Sequence, residues 1–157
     1  MATEKTMSEQ EWHKKSAVDL FNLTWDLLDK KERNVEEDDK MVHAAHASRF
    51  HWGEIGEPLQ FERGEWQISR VYAVLKRPQA ALYHAERCLA ICTANEIADF
   101  DIAFAYEAVA RAYAVAGDAA RSQEYAGLAE HAAQGIEDEG TRDYFLSELS
   151  TVAGLLQ

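Results

Sequence analysis

The residues with the greatest chemical potential lie in a segment that is otherwise apolar. Residues 100–113 carry Glu107 and Arg111 among alanines and aromatic side chains, the composition of a buried central helix. Charges in such a helix need partners. Glu107 and Arg111 are four residues apart, in the order that favours an ion pair on a helix. One interpretation is an internal ion pair that satisfies two partly buried groups, and the other is a ligand-binding pocket.

Histidines form the second cluster that could do chemistry. Three of the six fall in one segment, namely His43, His46 and His51. On a straight helix these side chains spread over a wide arc, which one metal ion cannot close. A metal site would recruit His84 from another helix and a carboxylate, Glu54 or Glu65. The alternative is that the imidazoles form hydrogen bonds in packed positions between helices.

Cysteine and serine side chains give little support to catalysis. Cys88 and Cys92 are the only cysteines, and neighbours on one helix rarely reach disulfide geometry. A zinc site would need two further soft ligands, and no second pair of cysteines supplies them, so we expect reduced thiols in the core. Ser48 and Ser69 lack the glycine-rich elbow of a serine nucleophile, and no glycine-rich phosphate loop occurs. We expect no catalytic residue, no metal and no cofactor.

Length and charge restrict the classes of partner. The chain has 157 residues, 47% of them hydrophobic, enough for one domain with a continuous core. Its formal net charge of -12 opposes binding to nucleic acid and to anionic membranes. No apolar run reaches the roughly 18 residues of a membrane span, and residues 1–11 do not resemble a signal peptide. We expect one domain over 1–157, in the cytoplasm, with a protein or peptide partner.

Apolar periodicity predicts an all-α fold of about seven helices and no strand. The predicted segments are 9–32, 38–55, 59–76, 78–94, 99–116, 119–135 and 141–156. Ser8 to Glu11 has the form of a capping box ahead of the first segment. Pro58 and Pro78 suit the first turn of a helix, so they separate helices without kinking them. Because all connections are short, we expect sequential helices to pack antiparallel.

A shift of 41 residues aligns part of the chain with itself. It matches Tyr72 with Tyr113, Ala81 with Ser122, Ala85 with Ala126 and Cys88 with Ala129. The second copy, Val109-Ala110-x2-Tyr113-x3-Gly117-x4-Ser122-x3-Ala126-x2-Ala129, resembles the tetratricopeptide repeat (TPR), whose usual period is about 34 residues. The resemblance covers 59–135, and the first copy departs from it with Lys76 where the turn glycine belongs. We expect each tyrosine to pack against the small residues of the following helix.

The resemblance implies three TPR-like helix pairs and a C-terminal capping helix at 141–156. The inner helices would be 9–32, 59–76 and 99–116, and they would line a concave groove. The apolar residues of the capping helix fall on one stripe, namely Phe145, Leu149, Val152 and Leu156. Such a stripe would cover one stacked neighbour.

The same shift aligns Arg70 with Arg111, at positions that face the groove in the repeat family. Two guanidiniums beside aromatic side chains would offer bidentate donors to a carboxylate or phosphate. The implied site comprises Arg63, Trp66, Arg70, Phe104, Glu107 and Arg111. The sequence thus predicts a binding module or scaffold, not an enzyme, that recognises a peptide or a small anionic ligand.

Two alternatives to this function stay open. One is a helical-bundle metal-binding protein or enzyme that uses His43, His46 and His84. The other is self-association into a homodimer through the apolar faces that open helical stacks leave at their ends. Within the groove itself, Glu107 decides the outcome: if it pairs with Arg111 alone, Arg70 stays free, and if it bridges both arginines, the pocket is neutralised.

Overall fold

Seven α-helices make up most of the described chain. The computed structural model describes residues 4–156, so residues 1–3 and 157, the ends of the predicted domain, lie outside the described residues. The elements are α1 (Glu9–Leu28), α2 (Val35–Ile55), α3 (Pro58–Val74), α4 (Pro78–Ala94), α5 (Asp99–Ala116), α6 (Ala119–Ala133), α7 (Glu139–Ser150) and a 3-10 helix (Ala153–Leu156). Residues 4–156 contain no strand, which confirms the all-α prediction. No helix in this range is long and apolar enough to cross a membrane.

Capping boxes define where the first two helices begin. The Ser8 hydroxyl accepts a hydrogen bond from the Glu11 backbone N–H, and the Glu11 side chain accepts one from Ser8 in return. The predicted start of α1 is therefore confirmed. Asn34 and Glu37 form the same arrangement ahead of α2, a box that the sequence reasoning missed.

Three predicted helix ends are wrong by several residues. The first helix ends at Leu28 instead of residue 32, and the second begins at Val35 instead of residue 38. The acidic run after Asn34 lies in the first turn of α2, where carboxylates favour the helix dipole, and not in the connecting loop. The last helix ends at Ser150, and the chain continues through a turn into the 3-10 helix.

Sequential helices pack as three pairs, α1 with α2, α3 with α4, and α5 with α6. The pairs stack in order, because α2 contacts α3 and α4 contacts α5. The inner helices α3 and α5 also contact each other, whereas their partners α4 and α6 lie outside them. Since the connections within the last two pairs are only two or three residues long, the paired helices must run antiparallel.

The turns of the last two pairs have equivalent backbone geometry. Lys76 has a φ of 58°, and Gly117, at the matching position, has a φ of 81°. The Arg77 backbone N–H donates to the Tyr72 carbonyl at 2.9 Å, and at the equivalent positions residue 118 donates to the carbonyl of residue 113 at 3.0 Å. These bonds close each helix in the same way. The shift of 41 is thus confirmed here, and the lysine takes the conformation of the turn glycine.

In each of the last two helix pairs, a buried serine forms a hydrogen bond across the pair, between positions that the shift of 41 makes equivalent. The Ser69 hydroxyl of α3 donates to the Ala81 carbonyl of α4 at 2.8 Å. In the next pair the direction is reversed, because the Ser122 hydroxyl of α6 donates to the Ala110 carbonyl of α5 at 2.9 Å. Each buried hydroxyl is satisfied by a carbonyl on the facing helix, and the small serine side chain allows the two backbones to approach closely.

The packing of the two tyrosines follows the repeat only in part. Tyr72 packs in the same cluster as Ala81, as predicted. Tyr113 packs with Ala85 and Tyr125, whereas Ala126 belongs to a different cluster. The C-terminal segment after α7 contributes Val152 and Leu156 to the cluster that holds Ala126, and the contact of Tyr113 with Ala126 stays a prediction.

The C-terminal segment closes the stack, as predicted. The Phe145 side chain of α7 is fully buried against Ala103 and Ala129, so it contacts both helices of the last pair. Val152 is buried against Ala110, although it lies beyond the end of the helix. The apolar stripe therefore does bury itself, but its last two members do so from a turn and a 3-10 helix.

Substitutions at Lys76 and Gly117 test whether the two turns are equivalent. Lys76→Gly should raise the free energy of unfolding by about 1 kcal/mol, because glycine adopts positive φ without a Cβ clash. Gly117→Ala should lower it by about 1–2 kcal/mol, and a Cβ there meets nothing within 4 Å, so the loss reports backbone strain alone. Urea unfolding measures both effects, and changes of the same sign would contradict the equivalence.

Candidate functional site

A groove runs along the inner helices α1, α3 and α5, and α7 closes one end of it. Its cavity has a volume of about 470 Å³, within the range of ligand pockets. Four of the predicted site residues line the cavity: Arg63, Trp66, Arg70 and Phe104. Glu107 and Arg111 are absent from its lining, because they lie behind the wall in the core of α5.

Aromatic side chains form most of the apolar wall. They are Phe21, Trp25, Trp66, Phe100, Phe104 and Tyr144. The rings of Trp25, Trp66 and Phe104 follow one another across the three inner helices, with centroid distances of 5.7 Å at both steps. Tyr144 of α7 extends the row from Phe104 at 6.2 Å and is 58% exposed. The wall therefore offers a continuous aromatic surface with an accessible end.

Glu107 bridges the two arginines that the sequence aligns. Its carboxylate is fully buried and lies 2.6 Å from the Arg111 guanidinium and 3.5 Å from the Arg70 guanidinium. Arg70 also pairs with Glu148 of α7 at 3.2 Å. Arg111 donates further hydrogen bonds to the Glu148 carbonyl at 3.2 Å and to the Thr151 hydroxyl at 2.7 Å. The network therefore joins α3, α5 and α7.

The expectation that both guanidiniums stay accessible is wrong. Arg111 is buried and its donors are directed to protein acceptors, while Arg70 lies between two carboxylates. A buried charge needs compensation inside the protein, and Glu107 receives it from both sides. The charge clamp that two free arginines would form is therefore neutralised.

Arg63 lies at the open part of the groove. It donates two parallel hydrogen bonds to the Asp101 carboxylate, at 3.0 and 3.1 Å, and its guanidinium also lies over the Phe100 ring. The Arg63 side chain is still 44% exposed. One of its terminal nitrogens makes neither of these bonds to Asp101, so Arg63 can donate to a ligand while keeping its partner.

One residue of the groove belongs to a buried group that was not predicted from the sequence. Glu62 lines the cavity, and its carboxylate lies 3.3 Å from the Cys88 thiol, which donates to it. Glu62, Cys88 and Cys92 offer ligand atoms that all lie within 4.8 Å of one another, and all three residues are buried. The sequence spacing hid this group because Glu62 is 26 residues away from Cys88.

Burial changes the protonation of this group. Burial is the main cause that raises the pKa of Glu62 to about 10, and the neighbouring Asp101 carboxyl is the second cause. At neutral pH Glu62 is thus a carboxylic acid. The Cys92 thiol raises the pKa of Cys88, and burial adds to this effect, whereas Cys88 lowers the pKa of Cys92.

The histidines divide into two separate places. His46 donates or accepts a hydrogen bond with the Tyr72 hydroxyl at 2.7 Å, and its ring lies 5.4 Å from that of His84. His84 in turn bonds Glu65 at 2.6 Å. His43 is exposed and His51 instead pairs with His13, 2.9 Å away.

The imidazoles act here as hydrogen-bonding groups between helices. Burial lowers the pKa of His46, so its ring is neutral at pH 7. Burial raises the pKa of Glu65, but hydrogen bonds from His84 and Arg49 outweigh this and leave it lowered. Among residues 4–156, Glu62, Cys88 and Cys92 are the one group of three ligating side chains within reach of a single ion. The histidine-based metal site therefore has no support from the geometry.

Both serines considered as nucleophiles have buried hydroxyls. Ser48 donates to the Ala17 carbonyl at 2.7 Å, and Ser69 donates to the Ala81 carbonyl. These hydroxyls are directed at backbone acceptors and join neighbouring helices. Neither side chain lines the groove.

No family model matches the chain, and no curated protein is significantly similar to it.

Removing Arg70 tests whether the network is closed. Arg70→Ala should lower the free energy of unfolding by about 1–3 kcal/mol, because Glu107 stays buried with one partner fewer. Arg111→Ala should lower it by about 3–5 kcal/mol, since it removes the closer of the two partners. As a control, Arg121→Ala breaks an exposed pair with Asp118 and should change stability by less than about 0.5 kcal/mol. Equal effects of Arg70→Ala and Arg121→Ala in urea unfolding would contradict the closed network.

The raised pKa of Glu62 has a measurable consequence. The folded pKa lies above the unfolded one, so protonated Glu62 stabilises the fold below about pH 4.5, and this contribution is lost as the pH rises towards about 10. Glu62→Gln keeps the shape of the side chain and removes its ionisable carboxyl group. Urea unfolding in EDTA at pH 6 and pH 8 should show the variant gaining stability relative to the unmodified protein as the pH rises. A pH-independent difference would show that Glu62 is ionised in the fold.

Proposed function

We propose that this chain is a non-enzymatic helical-repeat module, similar to tetratricopeptide repeats, that binds a peptide segment of a partner protein in its groove. The observation that carries the proposal is the row of aromatic rings from three inner helices around one cavity. A large apolar side chain of a peptide would fill such a cavity and exclude water from it, which is how anchor residues contribute most of their binding energy.

Polar groups at the rim of the groove suit a peptide backbone. Arg63 keeps a donor beyond its bonds to Asp101, so it can donate to a backbone carbonyl of the ligand. Trp66, which lines the groove, carries a buried indole N–H without a hydrogen-bond partner. An acceptor oxygen of a ligand that reaches this N–H would satisfy it.

The charges around the groove favour a neutral or basic peptide over a small anion. With Glu62 protonated, the lining carries three carboxylates, Asp29, Asp101 and Glu148, against the guanidiniums of Arg63 and Arg70. Both arginines already pair with carboxylates. The formal net charge of -12 acts in the same direction. The anionic ligand considered from the sequence therefore has less support than the peptide.

We further propose that the module acts in a reducing compartment such as the cytoplasm. Cys88 and Cys92 are free thiols, and structural disulfides are the usual state of cysteine pairs in oxidising compartments. The buried serine hydroxyls support a binding role over nucleophilic catalysis, because their bonds to backbone carbonyls are part of the helix packing.

Peptide selection with paired tyrosine variants tests this function. Peptides selected from a random phage-displayed library should carry an aromatic or large aliphatic anchor, and tryptophan fluorescence should report their binding, because Trp25 and Trp66 line the groove. Tyr144→Ala should weaken binding of a selected peptide by about tenfold or more.

The matched control is Tyr83→Ala. Tyr83 is 59% exposed, close to the 58% of Tyr144, but lies on the outer helix α4. This variant should leave the affinity unchanged. Equal losses in the two variants, or a library that yields no binding peptide, would count against the groove. Inorganic phosphate and citrate serve as anion probes, and stabilisation by either that Tyr144→Ala leaves intact would favour an anion site elsewhere.

A further inference from the structure

Glu62, Cys88 and Cys92 form a compact group of ligand atoms in the core between α3 and α4. The cysteines are four residues apart on α4, so their thiols lie on one face of the helix. Glu62 projects from α3 towards them, and its Oε2 is 3.3 Å from the Cys88 Sγ. All three ligand atoms lie within 4.8 Å of one another, and each residue is at least 99% buried.

The separation between Cys88 and Glu62 suits a tetrahedral zinc ion. Zinc binds thiolate sulfur at about 2.3 Å and carboxylate oxygen at about 2.0–2.2 Å. At a tetrahedral angle a sulfur and an oxygen ligand are then roughly 3.5 Å apart, and the separation of 3.3 Å between Cys88 and Glu62 is close to this value. Two thiolates with one carboxylate also suit a borderline-soft cation better than Mg²⁺ or Ca²⁺, which prefer all-oxygen ligands.

The remaining oxygen of Glu62 lies among charged side chains. Glu62 Oε1 is buried and has no hydrogen-bond partner, and the nearest cation, the Arg63 guanidinium, is 3.7 Å from it. Without an ion, the proton of Glu62 has the neighbouring Asp101 carboxyl as its acceptor. Ion binding displaces that proton, and the cation then compensates the carboxylate that forms.

We propose that Glu62, Cys88 and Cys92 bind one Zn²⁺ ion or a similar thiophilic cation at the base of the groove. The ion enters from the cavity, which Glu62 lines, and passes the Arg63 and Asp101 pair. Ligands bind zinc in deprotonated form, so binding releases the thiol and carboxyl protons to solvent. With three protein ligands, a fourth coordination position is left for a water molecule. This inference goes beyond the proposed peptide binding and does not depend on it.

Cobalt and zinc titrations of the full chain test the site directly. Protein purified without an affinity tag is treated with EDTA and a non-thiol reductant, and Co²⁺ is then added while absorption is recorded. One Co²⁺ ion per chain should produce a sulfur-to-cobalt charge-transfer band in the near ultraviolet, and Zn²⁺ should displace it. Zn²⁺ should also raise the melting temperature, because it binds the folded state. These measurements on the unmodified chain need no variant, and absence of the charge-transfer band would overturn the proposal.

Variants identify the ligands. Cys88→Ser and Cys92→Ser should each weaken zinc binding by more than about tenfold, and the double variant should lose the charge-transfer band. Glu62→Gln should weaken zinc binding to a similar extent but keep the band at higher Co²⁺ concentration, since both thiolates remain.

The matched control is Glu65→Gln, one turn further along α3. Glu65 is a partly buried carboxylate that pairs with Arg49 and His84, so this variant should leave zinc affinity unchanged. Loss of binding in Glu65→Gln with retention in the two cysteine variants would overturn the proposal in favour of a histidine site. Tyr144→Ala should also bind zinc normally, which separates the result from that for the peptide groove.

Discussion

The fully buried carboxylate of Glu107 lies at the centre of α5, the helix with the most buried residues in the described chain. Desolvation makes an unpaired charge there very costly, so the fold must supply cations from its own side chains. Arg111 comes from the next turn of the same helix and Arg70 from α3. The two arginines then bind Glu148 and Thr151 in the C-terminal segment. One buried carboxylate thus links the inner helices to the cap, and the position of α7 at the end of the groove depends on it.

The same inner helices carry two chemically different regions. Towards the C-terminal cap, charges compensate one another and aromatic rings provide the accessible surface. At the other region, Glu62 of α3 faces the cysteines of α4 in a site with little access to water. Glu62, Arg63 and Asp101 all line the cavity. A ligand in the groove and an ion held by Glu62 would therefore occupy adjacent volumes.

Much of the fold could be predicted because it depends on local signals. Periodic apolar residues gave seven helices, and the serine box and the prolines gave their starts. The turn at Lys76 could be inferred only by comparison with Gly117, because a lysine by itself does not indicate positive φ. Helix ends were predicted less well. The start of α2 is set by the Asn34 cap, whereas the prediction followed apolar periodicity alone.

The sequence by itself determined the helical class, because the apolar period and the helix caps are local signals. Matching one segment of the chain with another then pointed to the inner helices and to four residues that line the groove. Tertiary structure alone decided the charge state of the groove and the grouping of Glu62 with Cys88 and Cys92. Glu107 could pair with one arginine or two, and only the approach of α3 to α5 fixes the second partner. No residue near Glu62 in the sequence indicates its raised pKa or its contact with Cys88. Both arise when α4 packs against α3 and removes the carboxyl group from water. Burial and long-range proximity depend on how the helices stack, and the spacing of residues within one helix does not contain that information.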